Sequence, residues 1–248
     1  MDRYFPIIKI RGNAEDRGRQ HGTLLKERIH RTIKFNQSQF QLPEEEVLEF
    51  ADQFRKATLA FREELYVEIE ALARAAAVDP LWIYALNGRT ELLNLNPMEC
   101  TTLAFKNQGL IGQNWDWESD MEELAVILDI EKEDGHRIMT MTEPGMIGKI
   151  GMNHCGVGVC LNFMTIENYQ PCGIPLHVIL RTILDSKSLD EAQSQLKILG
   201  MDKIKINYEE KANILPKTVL KQSIKPGTSV DEEKEIELTV SEIEKSEE

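Results

Sequence analysis

Between Thr101 and Phe163 the chain carries six short β-prone runs in succession, while the segments on either side repeat their apolar residues with a helical period. The runs are Thr101–Phe105, Leu110–Trp115, Leu124–Ile130, Ile138–Thr142, Ile147–Met152 and Gly156–Phe163. Lys106-Asn107-Gln108-Gly109 and Glu133-Asp134-Gly135 supply hairpin turns between consecutive runs, which predicts an antiparallel meander. Upstream, Leu24, Leu25, Arg28, Ile29 and Ile33 share one face of a helix starting near Asp16. A longer helix after Pro43 carries Val47, Phe50, Phe54, Phe61, Leu65, Ile69 and Leu72, and Asp79-Pro80 reads as a cap and first turn of a short one. Downstream, Leu176, Ile179, Leu180, Ile183 and Leu184 define a helix, and a second runs from Ser188 to Gly200. Helices, then sheet, then helices predict an α+β fold.

At 248 residues with 42% hydrophobic content the chain can bury a substantial core. Its formal net charge of −13 argues against nucleic acid or an anionic membrane as partner, because both are held largely by Lys and Arg. Met1–Ile10 has no continuous apolar segment, so the expectation is a soluble cytoplasmic protein without signal peptide or membrane span. Four cysteines are too few for a disulfide framework and leave thiols available for chemistry.

One of those thiols is placed for it. Cys100 precedes two hydroxyl residues, Thr101 and Thr102, at the helix-to-sheet boundary, and the polar-aromatic cluster Gly112-Gln113-Asn114-Trp115-Asp116-Trp117 lies on the next run. Around it, in order, come Gly12 with Arg17-Gly18-Arg19-Gln20-His21-Gly22, Asn87-Gly88-Arg89-Thr90-Glu91-Leu92, Glu99-Cys100-Thr101-Thr102, Gly112 to Trp117, Glu143-Pro144-Gly145-Met146-Ile147-Gly148-Lys149-Ile150-Gly151 and Gly156-Val157-Gly158-Val159. Together these resemble the acyl-coenzyme A:6-aminopenicillanic acid acyltransferase family, also called the C45 peptidases, of the N-terminal nucleophile (Ntn) hydrolase superfamily.

The resemblance implies an αββα sandwich and self-cleavage between Glu99 and Cys100, where the family commonly has glycine before the cut. It makes Cys100 the nucleophile, places Asp116 in the pocket facing it, and puts Thr101, Thr102, Asn114 and Trp115 along the substrate site. A freed α-amino group has a reference pKa near 8, so it can take the thiol proton at neutral pH. The implied substrate is a small acyl amide or acyl thioester, with no cofactor and with acyl-coenzyme A available as co-substrate. The implied partners include self-association or a heterodimer of the two self-cleaved fragments.

On this reading residues 1–202 form the Ntn-like domain, with 1–99 a helical pro-segment and 100–202 the start of the β-subunit. Residues 203–248, acidic and with Pro216 and Pro226-Gly227, read as a divergent tail that matches none of the family's later strands, its oxyanion-hole asparagine or its serine-arginine pair. The expected sandwich is therefore incomplete, its second sheet partly missing. The alternative function is an inactive truncated relative that serves binding or assembly. A papain-like Cys-His pair is disfavoured, because His136, His154 and His177 carry no partner motif.

Other residues read as structural. Arg17 and His21 share a helix face and suit packing, and Arg89 with Glu91 suits an ion pair bracing the cysteine segment. His154, Cys155, Cys160 and Cys172 fit no familiar zinc knuckle, so no metal ligand set is expected.

Overall fold

A computed structural model of the chain describes residues 5–93, 100–105, 109–116, 118–162, 173–198, 204–210, 219–222 and 236–242. Contacts divide it into two compact units, residues 1–164 with 170–192, and residues 165–169 with 193–248.

The first unit is α+β. It begins with strand β1 (Ile7–Gly12) and helices α1 (Ala14–Leu24), α2 (Lys26–Gln39), α3 (Glu44–Phe61), α4 (Glu63–Ala76), α5 (Pro80–Asn87) and α6 (Arg89–Leu92). Strands β2 (Thr102–Phe105), β3 (Leu110–Gln113), β4 (Val126–Lys132), β5 (Arg137–Thr142), β6 (Ile150–Asn153) and β7 (Gly158–Val159) follow, then α7 (Leu176–Asp185) and α8 (Leu189–Ile198), which crosses the boundary between units. The expected meander is present in β4 to β7, antiparallel throughout and in chain order. Two features depart from it. Among the described residues β2 and β3 pair only with each other, and β1 adds a parallel edge, Ile7 opposite Ile127 through Gly12 opposite Lys132. A pairing between segments this far apart leaves no mark on local periodicity.

One face of the five-stranded sheet supplies Ile10, Val126, Leu128, Ile130 and Ile138 to a core completed by Ile29, Phe54, Leu65, Ile69, Leu72 and Ile83 from the helices. The long helix expected after Pro43 is two, because Arg62 adopts an extended conformation between α3 and α4 and its guanidinium reaches Asp185 at 3.6 Å. The first expected helix likewise breaks at Leu25. Asn13 caps α1 by accepting from the Asp16 amide at 2.9 Å, and Asp79 caps α5 by accepting from the Leu81 amide at 2.9 Å, as its Asp-Pro sequence predicts.

Helices α1 and α4 approach closely because α1 presents Gly18 and Gly22. A Cβ at Gly18 would lie 2.1 Å from the Glu68 carbonyl oxygen, and one at Gly22 2.3 Å from that of Leu72. Backbone cannot yield as a side-chain tip can, so any larger residue there must separate the helices.

In the second unit, the stretch read from sequence as an acidic tail carries three strands, β8 (Ile204–Glu210), β9 (Val219–Gln222) and β10 (Ile236–Glu242). Their order is β8-β10-β9, with β10 parallel to β8 and antiparallel to β9. Ile236, Leu238 and Val240 fall in register with Ile204, Ile206 and Tyr208, a period of two that the interspersed acidic and polar residues mask in composition. Among the described residues no helix is long and apolar enough to cross a membrane.

Candidate active site

Cys100 stands half-buried immediately before the β2–β3 hairpin. The Asn114 side-chain oxygen accepts from the Thr101 amide, and the Asn114 amide donates back to the Thr101 carbonyl at 3.1 Å, which ties the residue after the thiol to the end of β3. The Asn114 side-chain nitrogen donates to Asp116 Oδ2 at 2.8 Å. Asp116 thus joins Cys100's neighbour through one intervening side chain, and it lies exposed at the surface. Thr102 Oγ1 donates to Asn162 Oδ1 at 2.5 Å. Gln113 exchanges two hydrogen bonds with the backbone of Leu161, at 2.6 and 2.8 Å, so the hairpin is anchored to the segment after β7. Glu99, Trp117 and Cys172 lie outside the described residues.

Beside this hairpin sits a buried charged group that sequence patterning did not single out. Lys149 Nζ rests 3.7 Å from the centroid of the Trp115 ring and 3.0 Å from Glu143 Oε1, and Arg89 donates to the same oxygen at 2.8 Å. Arg89 therefore pairs with Glu143 rather than with Glu91. Glu91 instead accepts from the Leu176 amide at 2.6 Å and caps α7. Burial works against the Glu143 carboxylate, but Arg89 and Lys149 outweigh it and hold its pKa at about 2. Burial pushes Lys149 down to about 8, Glu143 opposing, and the charge of Cys100 also acts on it. Lys149 and Glu143 both fall within the Glu143–Gly151 motif, which was the one available signal for them.

Two histidines behind the site are buried and neutral. His21 Nε2 accepts from the Gly145 amide at 3.2 Å, and His177 Nδ1 donates to the Asn87 carbonyl at 2.8 Å. Burial lowers His21 to about 4, against the pull of Glu68, and lowers His177 to about 3, with Arg89 and Lys149 adding to the effect. Packing is thus what His21 does, in agreement with its helix-face position.

These shifts set an acid sensitivity. The unfolded chain binds protons at His21 and His177 near pH 6.5 and the folded chain does not, so their contribution is complete above 6.5 and is lost as pH falls toward 4 and 3. Glu91 works oppositely. Burial raises it to about 7, so its contribution is present below 4.5 and lost as pH rises through 7. From pH 7 to pH 5 each histidine should cost about 2 kcal/mol and Glu91 should return about 2, a net loss of about 2 kcal/mol. Urea unfolding at the two pH values should show that loss, and Glu91→Gln should roughly double it to about 4 kcal/mol.

Residues 104–210 match the family model "Acyl-coenzyme A:6-aminopenicillanic acid acyl-transferase", a segment that begins just after Cys100 and includes Asn114, Trp115, Asp116, Glu143, Lys149 and His177. Residues 184–242 match the model of the PASTA domain, a span that takes in α8 and strands β8 to β10. The chain is 31% identical over 205 residues to the 40 kDa form of acyl-coenzyme A:6-aminopenicillanic-acid-acyltransferase from Emericella nidulans; the alignment covers 78% of this chain and 57% of that relative, so the chain spans little more than half the relative's length. The matched segment, this identity and the ordered motifs agree, and the chain belongs to the acyl-coenzyme A:6-aminopenicillanic acid acyltransferase family.

Proposed function

We propose that this protein is a cysteine amidohydrolase or acyltransferase of the Ntn type, acting through Cys100 on a small acyl amide or acyl thioester. The observation that carries the reading is the junction at Cys100. The residue after the thiol is fixed to Asn114, Asn114 to Asp116, and the adjacent Trp115 ring covers a buried ammonium, Lys149.

The reaction follows from ordinary thiol chemistry. Cleavage between Glu99 and Cys100 frees an α-amino group, which takes the thiol proton. The sulfur adds to the substrate carbonyl, the carbon–nitrogen or carbon–sulfur bond breaks, and the leaving amine or thiol departs with that proton. An acyl thioester on Cys100 remains until water or an amine adds to it and releases the acid or the new amide. In this proposal the Lys149 ammonium stabilises the negative charge of the tetrahedral adduct. In this proposal β1 and β4 to β7 form the first sheet of an αββα sandwich.

The test is covalent. Incubation with a small acyl thioester should add the mass of the acyl group to the fragment that contains Cys100, and hydroxylamine should remove it. An adduct that maps to Cys155 or Cys160, or none while substrate is consumed, would contradict the assignment.

A second reading, assembly with a partner, is favoured by one observation. The hairpin leaves Leu103 and Leu110 more than half exposed, and the cross-strand neighbours Met139 and Met152 are also open to solvent.

A further inference from the structure

The turns that join β4 to β5 and β6 to β7 bring together a second group of chemically active side chains. His136, His154 and Cys155 each present a donor atom, and the three atoms lie within 4.8 Å of one another. The His136 and His154 rings meet edge to face with centroids 5.0 Å apart, and Cys155 Sγ is 3.6 Å from His154 Nε2. We propose that these residues bind one thiophilic divalent cation, zinc being the ion that suits two imidazoles and a thiolate with a fourth position left for water.

The decisive residue is His136. It is 2% exposed, and its Nε2 donates to the Leu184 carbonyl at 2.9 Å, which leaves Nδ1 as the nitrogen with a lone pair. That Nδ1 is buried and has no hydrogen-bond partner. A buried acceptor without a donor is costly, and a cation in the group would satisfy it. A carbonyl that fixes the tautomer of a ligating histidine from behind is the usual support of a metal-bound imidazole.

The β6–β7 turn itself is braced. Asn153 Oδ1 accepts from the Cys155 amide at 2.9 Å and the Val157 amide at 3.0 Å, while its Nδ2 donates to the Leu184 and Ser186 carbonyls at 2.8 and 2.7 Å. The backbone on both sides of the thiol is thereby held against the end of α7, beside His136. His154 and Cys155 are exposed, which gives the ion a route in. Binding exchanges one bond, because His154 Nδ1 accepts from the Arg137 amide at 3.1 Å and must release it when the ring turns toward the ion. The Cys155 thiol loses its proton to solvent as the metal–sulfur bond forms, and both imidazoles bind in their neutral form. Sequence spacing hides the set, since His136 comes from the β4–β5 turn rather than from the cysteine-rich stretch.

The experiment titrates Co²⁺ alone into the full-length, metal-free chain and follows visible absorption, then adds Zn²⁺. The expected result is one equivalent bound, with tetrahedral d–d bands and a thiolate-to-cobalt charge-transfer band that zinc abolishes. Cys155→Ser should remove the charge-transfer band, and Cys155→Ser and His154→Ala should each weaken binding by at least about tenfold. Cys160→Ser should change neither. Both informative substitutions are on exposed residues, and unchanged circular dichroism confirms that the fold is kept. Absence of binding at millimolar Co²⁺, or an identical spectrum and affinity in Cys155→Ser and His154→Ala, would overturn the proposal.

Discussion

Glu68→Gln is expected to lower the unfolding free energy by about 3 to 5 kcal/mol, a large share of the roughly 5 to 15 kcal/mol that domains of this kind possess. Glu68 is 1% exposed and carries two buried guanidinium groups. Arg17 donates to it from Nε at 3.0 Å and Nη2 at 2.7 Å, and Arg181 from Nη1 at 2.9 Å and Nη2 at 3.1 Å. Helices α1, α4 and α7 are joined through this one carboxylate, and Arg181 continues to the Ile147 carbonyl at 2.9 Å. Burial opposes the charged form of Glu68, yet Arg181 and Arg17 overcome it and lower its pKa. The neutral amide keeps the shape and removes the charge, leaving two cations in a medium that solvates them poorly. Glu64, whose side chain is about a third exposed, also accepts from Arg17, and Glu64→Gln should cost below about 1 kcal/mol because water screens it. Urea denaturation of both variants checks the contrast. A loss under 1 kcal/mol for Glu68→Gln would show that the network is incidental to stability.

Cys100→Ala is expected to abolish acyl turnover, on the order of 10⁴-fold or more, because no other group replaces a nucleophile that forms the covalent intermediate. The fold should be indifferent to the change. Cys100 is only half-buried, and the hairpin beside it is held by Thr101, Asn114, Gln113 and Leu161 rather than by the thiol. An unchanged melting curve with lost turnover of a small acyl thioester is therefore the expected pair of results. Retained turnover would remove Cys100 from the mechanism and place the chemistry on another group.

Local chemistry explains what could be read from the residues. Asp79-Pro80, the turn at Gly135, and the alternation in β4 and β5 each act over a few residues, and each is found where the pattern places it, while residues 106–108 of the turn expected before Leu110 lie outside the described residues. The parallel pairing of β1 with β4 is set by packing between remote segments and has no local signature. The break at Arg62 follows from its reach toward Asp185, on a helix more than a hundred residues away. In the second unit, acidic composition concealed an alternation that becomes evident only when Ile236, Leu238 and Val240 are seen opposite Ile204, Ile206 and Tyr208.

At the candidate site the ordered motifs contain Thr101, Asn114 and Asp116, and hydrogen bonds link these three from one to the next. The charged group behind them was not legible. Lys149 lies in a glycine-rich motif that reads as tight turns, and only the approach of Trp115, Glu143 and Arg89 gives it a role.

The central claim is that Cys100 is made a chain terminus by the protein's own chemistry. Intact-mass spectrometry of the purified protein beside Cys100→Ala tests it most directly. The account predicts fragments 1–99 and 100–248 in the wild type and a single uncut chain in the variant. An uncut wild-type chain, or cleavage that persists in Cys100→Ala, would contradict it.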